Sequence, residues 1–244
     1  MKASPTEQRL LLDVQAIDTN DRQLAYASDH LPQTERISEL SAELSTSAAE
    51  FIARQGVVED ARAEIDRIES DITVVKQRLA VDAEREANSS NAKDVQALEA
   101  EIALLKTRMA NLEEMELEVM QRLEDAEKSL AELQVARAGI EAEIAENEDA
   151  RARRRAEISA ERAQLASTRE QLVSRIPADL LALYEKQRDR YGIGAALLTR
   201  GVSGGSGVAL SETDLSKIRA AADDDVVMCP DSSCILVRTE ESGL

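Results

Sequence analysis

Apolar side chains return at seven-residue intervals through much of this chain, and that spacing restricts the fold more than any other feature. Ile37, Leu44, Phe51, Val58, Ile65, Ile72 and Leu79 form one series, and Leu40, Ala61, Ile68 and Val75 stand three residues after their neighbours. A stripe with this period keeps one face of a helix turned toward a packed partner and imposes a left-handed supercoil. A second stripe follows, with Leu98, Leu105, Leu112, Val119, Ala126, Leu133 and Ile140 in one series and Ile102, Met109, Leu123, Leu130 and Ile144 in the other.

Between the stripes lies Asn88-Ser89-Ser90-Asn91, whose short polar side chains compete for backbone hydrogen bonds and favour turns and caps. The spacing therefore predicts an antiparallel helical hairpin over 33–173 with its tip near 88–91. Counting from the tip sets Arg54 opposite Leu123 and Ile37 opposite Ile140. At a rise of about 1.5 Å per residue each arm extends for about 80 Å. Heptads alone do not say whose side chains fill the seam, so pairing with a second chain stays open at this level.

Composition agrees with long helices. Only 2% of residues are aromatic, with no Trp and four Pro, and such a profile lacks the material of a globular enzyme core. The formal charge of −18 disfavours bulk polyanions and membrane surfaces. No apolar run approaches the roughly 18 residues of a membrane span, and no signal peptide is evident at Met1-Lys2-Ala3-Ser4-Pro5. A cytoplasmic location is expected, with Cys229 and Cys234 reduced.

Ahead of the hairpin, Ser4, Pro5 and Glu7 compose a capping box for a first helix to about Ser28, with Leu10, Val14, Ile17 and Leu24 as its apolar face. Pro32 then breaks the helix, and His30, the single histidine, reads as a break residue. The descending arm outlasts the ascending one, so the first helix is expected beside its far end.

That end carries the one basic stretch. Seven Arg stand against three Glu from Arg151 to Arg175. Arg151, Arg153, Arg154, Arg155 and Arg162 are candidates for phosphate or partner contact, because a guanidinium fork binds phosphate bidentately. The competing reading pairs them with Asp13, Asp18, Asp21 and Asp29 of the first helix. No aromatic side chain is interleaved to stack bases.

From 176 the character changes, which divides the chain into 1–175 and 176–244. Pro177 opens an amphipathic helix to about Arg190. Six of the nine glycines then fall between Gly192 and Gly207. Ala195–Arg200 and Cys234–Arg238 have the apolar run of strands, and Ser211-Glu212-Thr213-Asp214 starts a helix to about Ala221. The segment Gly201-Val202-Ser203-Gly204-Gly205 matches a nucleophile-elbow spacing, but the sole histidine is distant, and the glycine run lacks a phosphate-loop lysine. An enzyme is not expected.

The long hairpin, the segment Asn91-Ala92-Lys93-Asp94-Val95-Gln96-Ala97-Leu98 after its tip, the Pro-initiated Leu-Tyr helix, the glycine-rich turn and the final Cys229-Pro230 strand region together resemble the bacterial coiled-coil proteins that end in a four-cysteine zinc ribbon. The resemblance covers nearly the whole chain. It implies a mostly α fold, a coiled-coil hairpin with a short N-terminal helix, closed by a small α+β zinc-ribbon-like head. It also implies adaptor or chaperone-like work on protein partners, including a sigma factor and secretion machinery, with RNA binding as another activity of the group.

In that family two Cys-x-x-Cys knuckles hold the zinc, and they align here with Ser203, Ser206, Cys229 and Ser232. Cys234 lies two positions beyond the last. Hydroxyls are poor zinc ligands, so a metal-free ribbon without cofactor is expected, the alternative being a weak metal held by the two thiols with Asp223 or Asp231. The expected function is a non-enzymatic protein-binding adaptor, monomeric or weakly dimeric, away from membranes. The alternative is RNA or DNA binding through 151–175 and the head. From Ile176 onward, however, seven basic residues face eleven acidic ones.

Overall fold

Helix α1 (Pro5–Asp29) starts on a complete capping box. The Ser4 hydroxyl accepts from the Glu7 N–H at 3.2 Å, and the Ser4 N–H donates to the Glu7 carboxylate at 2.7 Å. Pro5 suits the first helical position because no partner awaits its missing N–H. Pro32 begins α2 (Pro32–Asn88), so the break between the helices falls at His30 and Leu31 as expected. The His30 N–H closes on the Tyr26 carbonyl at 3.1 Å and the two rings stack 3.9 Å apart, which makes the histidine a helix terminator.

The computed structural model describes residues 1–243. Helix α3 (Ala92–Val173) follows the turn, and α4 (Ala178–Tyr191) leads into a four-stranded sheet. Its strands are β1 (Ala195–Thr199), β2 (Val202–Ser203), β3 (Val227–Met228) and β4 (Ile235–Val237), with α5 (Glu212–Ala220) between β2 and β3. The chain groups into two compact units, Gln33–Glu148 and the remainder, Met1–Pro32 with the chain from Asp149 onward.

In Gln33–Glu148 the two arms run antiparallel and the predicted seam is the core. Ala61, Ile68, Ile72, Val75, Leu112 and Val119 are buried together, with Ile65, Leu79, Leu105, Met109 and Leu123 against them. The chain's own return fills the holes that a second chain would otherwise fill. Arg36–Glu143 at 2.7 Å, Arg78–Glu101 at 2.6 Å and Arg122–Glu64 at 2.9 Å flank the seam. Such exposed pairs contribute about 0–1 kcal/mol each, so they trim register while the apolar seam supplies the stability. Arg54, set opposite Leu123 by counting, instead bonds the Ser129 carbonyl at 2.8 Å, while Arg137 bonds the Leu44 carbonyl at 3.2 Å and Arg62 meets Glu127, so the arms pair here several residues away from the register that counting from the tip gives. Asp82 occupies a seam position near the tip, 3% exposed and without a hydrogen-bond partner for one carboxylate oxygen.

The other unit has two apolar clusters. Leu11 and Val14 of α1, Leu180 and Tyr184 of α4, and Ala195, Ile235 and Val237 of the sheet form the first. Leu11 is fully buried in this cluster, and the predicted Leu10 packs against it partly buried, as does Leu12. On the opposite face of the sheet, Ala196, Leu198, Leu210, Leu215, Ile218, Cys229, Cys234 and Leu236 form the second. The sheet order is β2-β1-β4-β3, with β1 parallel to β4 and the other pairs antiparallel. The predicted strands are β1 and β4. The two-residue strands β2 and β3 were too short to carry a periodic signal.

The N-terminus extends this sheet region. The Ala3 N–H donates to the Asp224 carbonyl at 2.8 Å and the Val226 N–H to the Met1 carbonyl at 3.2 Å, while Lys2 Nζ meets Asp224 at 2.7 Å.

Candidate functional site

Three groupings have the chemistry to matter: a thiol and hydroxyl cluster, the arginine stretch of α3, and apolar side chains outside the hairpin seam.

The first is assembled by two turns of the sheet. Ser203 leaves β2 fully buried, and its Oγ lies 3.2 Å from Cys229 Sγ. Cys229 directly follows β3 and Cys234 directly precedes β4; the Cys229 N–H donates to the Cys234 carbonyl at 2.8 Å. Ser232, in the connecting turn, sets its Oγ 3.2 Å from Cys234 Sγ and its N–H 3.5 Å from Cys229 Sγ. Gly205 sits against the pair, where an added Cβ would meet Cys234 Sγ at 2.5 Å and Ser232 Oγ at 2.8 Å. Burial pushes the Cys229 thiol up, but the Ser203 hydroxyl and the turn N–H groups outweigh it and hold the thiol below its usual range. Burial raises Cys234.

These residues do not fit a structural zinc ion. Of the expected ligand positions Ser203, Ser206, Cys229 and Ser232, three are hydroxyls, and Ser206 Oγ accepts from the Val208 N–H at 3.3 Å within its own turn. Cys234 comes into the cluster instead, giving two thiols and two hydroxyls already bonded to one another. Neutral hydroxyls lack the negative charge and softness that zinc ligation uses. Among the described residues no group of three or more His, Cys, Asp or Glu is arranged to hold a metal.

The same geometry bears on Ser203 as a nucleophile. Its hydroxyl is buried against Cys229 Sγ, whereas His30 bonds the Tyr26 carbonyl at the end of α1, so the histidine of a Ser-His pair does not stand beside Ser203.

Along α3 the arginines divide. Arg162 makes two hydrogen bonds to the Asp21 carboxylate, at 2.7 and 3.1 Å, and holds Asp21 below its usual range. Arg154 lies 2.9 Å from Glu157 and 3.6 Å from Glu161 on its own helix. Arg151 also has a partner. Arg153 and Arg155 are exposed, and no carboxylate is paired with either among the described residues.

Further along, Arg169 binds Asp18 through Nε at 2.6 Å, and Arg188 of α4 reaches the same carboxylate at 2.9 Å. The Tyr184 hydroxyl donates to Asp18 at 2.7 Å. Burial pushes the Asp18 carboxyl up, but these three donors outweigh it and hold it below its usual range; burial and the bond to Asp18 raise Tyr184. This is a structural latch among α1, α3 and α4. Sequence reasoning foresaw Asp18 and Asp21 but not Arg188 or Tyr184, which arrive from a helix that no local pattern links to α1. Gln15 was missed likewise: its Oε1 accepts from the Gly194 N–H at 2.7 Å and ties α1 to the start of β1.

Outside the seam, Ile52, Leu104, Leu117 and Val135 are 69, 71, 68 and 74% exposed. No helix among the described residues is long and apolar enough to cross a membrane.

Comparison with known proteins places this geometry. The model of the CT398-like coiled coil hairpin domain matches residues 14–192. An uncharacterized protein of Mycobacterium tuberculosis is 32% identical over 243 residues, which is 98% of both chains. A solved structure from Mycobacterium smegmatis superposes with a TM-score of 0.80 at 34% identity, covering 98% of this chain and all of that one. The structure of CT398 from Chlamydia trachomatis shares the fold, with a TM-score of 0.59 at 18% identity over 96% of this chain and 98% of that one. With the hairpin, its seam and these matches in agreement, the chain belongs to the CT398-like coiled coil hairpin family.

Proposed function

We propose that this chain is a non-enzymatic interaction protein, an adaptor whose helical hairpin meets protein partners while the small head serves as a zinc-ribbon-like module that holds together without metal. The observation that carries the reading is the apolar surface left on α3. Leu117 and Val135 are separated by about five helical turns and so share nearly one face, with the half-exposed Met120 close to the same line. Single exposed apolar residues are ordinary, and Gln121, Glu124, Lys128 and Glu132 stand between these on the same face, but Leu117, Met120 and Val135 lie beside a seam that is already filled, so packing of the hairpin does not use them. The buried, sulfur-bonded Ser203 supports the non-enzymatic part.

The test is capture of partners from lysate by the full chain beside a Leu117→Glu, Val135→Glu variant. Both positions are exposed, so the fold is retained. Proteins recovered specifically by the parent and lost by the variant support the adaptor reading. Identical recovery overturns the assignment of this face.

A second reading is favoured by one observation, the exposed and unpaired Arg153 and Arg155, which would contact the phosphates of RNA or DNA. The net charge and the pairing of Arg154 and Arg162 weigh against it. A salt-dependent gel shift abolished by Arg153→Glu with Arg155→Glu supports it, and no shift at low salt removes it.

A further inference from the structure

We propose that Cys229 and Cys234 are a dithiol site that closes reversibly to a disulfide across the turn joining β3 to β4. The register carries the argument. Val227 pairs with Leu236 and Met228 with Ile235, and continuing by one position sets Cys229 directly opposite Cys234. The 2.8 Å bond from the Cys229 N–H to the Cys234 carbonyl shows that the pairing does continue. A hydrogen-bonded antiparallel pair such as this has Cα atoms about 5.5 Å apart, inside the window of about 4.4–6.8 Å that a disulfide spans.

The side chains agree. Both sulfurs belong to one buried cluster, and a single residue, Ser232, touches both, with its N–H on Cys229 and its hydroxyl on Cys234. Gly205 keeps the adjoining space free of a side chain. The turn residues Pro230 and Asp231 are exposed, so the pair lies directly beneath the surface. A pair of thiols that served only as apolar filling has no need of a hydroxyl on each sulfur.

With a peroxide as oxidant the step balances. The Cys229 thiolate attacks one peroxide oxygen, the O–O bond breaks, and a sulfenic acid and one water result. The Cys234 sulfur then displaces the sulfenic oxygen, which leaves as a second water. Two S–H bonds are replaced by one S–S bond, and two electrons pass to the peroxide. A small-molecule dithiol reverses the step.

The test treats the fully reduced, folded chain with excess hydrogen peroxide, then unfolds it in the presence of an alkylating agent and measures intact mass. The expected product has lost the mass of two hydrogens, has no alkylatable thiol, and recovers both on treatment with dithiothreitol. Cys229→Ser and Cys234→Ser, each checked for retained helicity, are expected to lose that product and to give a sulfenic acid trapped by dimedone or a disulfide between two chains. Two thiols that remain alkylatable after peroxide treatment overturn the proposal. So does oxygen added to either sulfur independently, or a disulfide that forms only after the chain is unfolded in urea.

Discussion

Replacing Asp18 by Asn tests the latch that binds α1 to α3 and α4. The substitution keeps shape and removes charge, leaving Arg169, Arg188 and the Tyr184 hydroxyl facing a neutral amide that cannot satisfy them all. Breaking one side of a fully buried ion pair costs about 3–5 kcal/mol. Asp18 is 9% exposed, but the side chains of Arg169 and Arg188 are 26 and 29% exposed, so water recovers part of their solvation. The expected loss is therefore about 2–3 kcal/mol, less than the fully buried figure. Hydrogen exchange read by mass spectrometry suits a chain with two units, because each peptide reports its own opening. Amides of α4 are expected to exchange about 30- to 150-fold faster in the variant, since about 1.4 kcal/mol is tenfold. Peptides from 61–75 serve as an internal reference and should not change. The pH dependence has a definite sign. The folded carboxyl is held below its unfolded value, so its contribution is present above about pH 4 and is lost as pH falls through the lower folded value. That acid-side acceleration of α4 exchange should be smaller in the variant. Less than about threefold acceleration at neutral pH, or an acid response identical in both proteins, refutes the latch as the source of this stability.

Other consequences are simpler to check. Ile72→Ala, at a seam position 6% exposed, is expected to destabilise the hairpin by about 2–5 kcal/mol in urea unfolding, whereas Leu117→Ala, 68% exposed, should stay within about 0.5 kcal/mol. Arg238 donates to the carbonyls of Ile218, Ala221, Ala222, Asp223 and Asp225, so Arg238→Met is expected to lower the melting temperature of the head and release the segment after α5 to faster exchange. Gly194→Ala places a Cβ 2.5 Å from the Tyr184 ring and 2.8 Å from its carbonyl oxygen, and should reduce soluble yield or thermal stability. Elemental analysis of the purified protein is expected to find less than one equivalent of zinc; stoichiometric zinc held by Cys229 and Cys234 would contradict the unfit donor set.

What could be read from the residues alone divides along physical lines. The seam, the tip at Asn88–Asn91 and both Ser-initiated helix starts are local or periodic, and each has a fixed spacing that one sequence displays. The Ser4–Glu7 box and the Ser211 cap, whose hydroxyl accepts from the Asp214 N–H at 3.2 Å, were legible for that reason. The proposal that acids of the first helix neutralise part of the arginine stretch was legible as charge, and Arg162–Asp21 and Arg169–Asp18 embody it. What could not be read is what depends on closure of the sheet. The parallel pairing of β1 with β4 joins residues about 40 apart, and nothing in either strand announces the other. The N-terminal residues beside Asp224 and Val226 are the extreme case.

The cysteines show how the two kinds of information meet. A fixed Cys-x-x-Cys spacing predicts ligands by letter, and by that criterion Cys234 stands out of place. The sheet register does not count letters. It sets Cys229 and Cys234 opposite each other because β3 and β4 pair with a shared turn, and it brings Ser203 in from a different hairpin. The position that spacing treats as displaced is thus the one that geometry selects. A cluster of two thiols and two hydroxyls, unfit for zinc, retains the one chemistry that two facing sulfurs need no metal to perform. For that reason the peroxide experiment distinguishes thiols that only fill space from a pair that the register has brought within bonding reach.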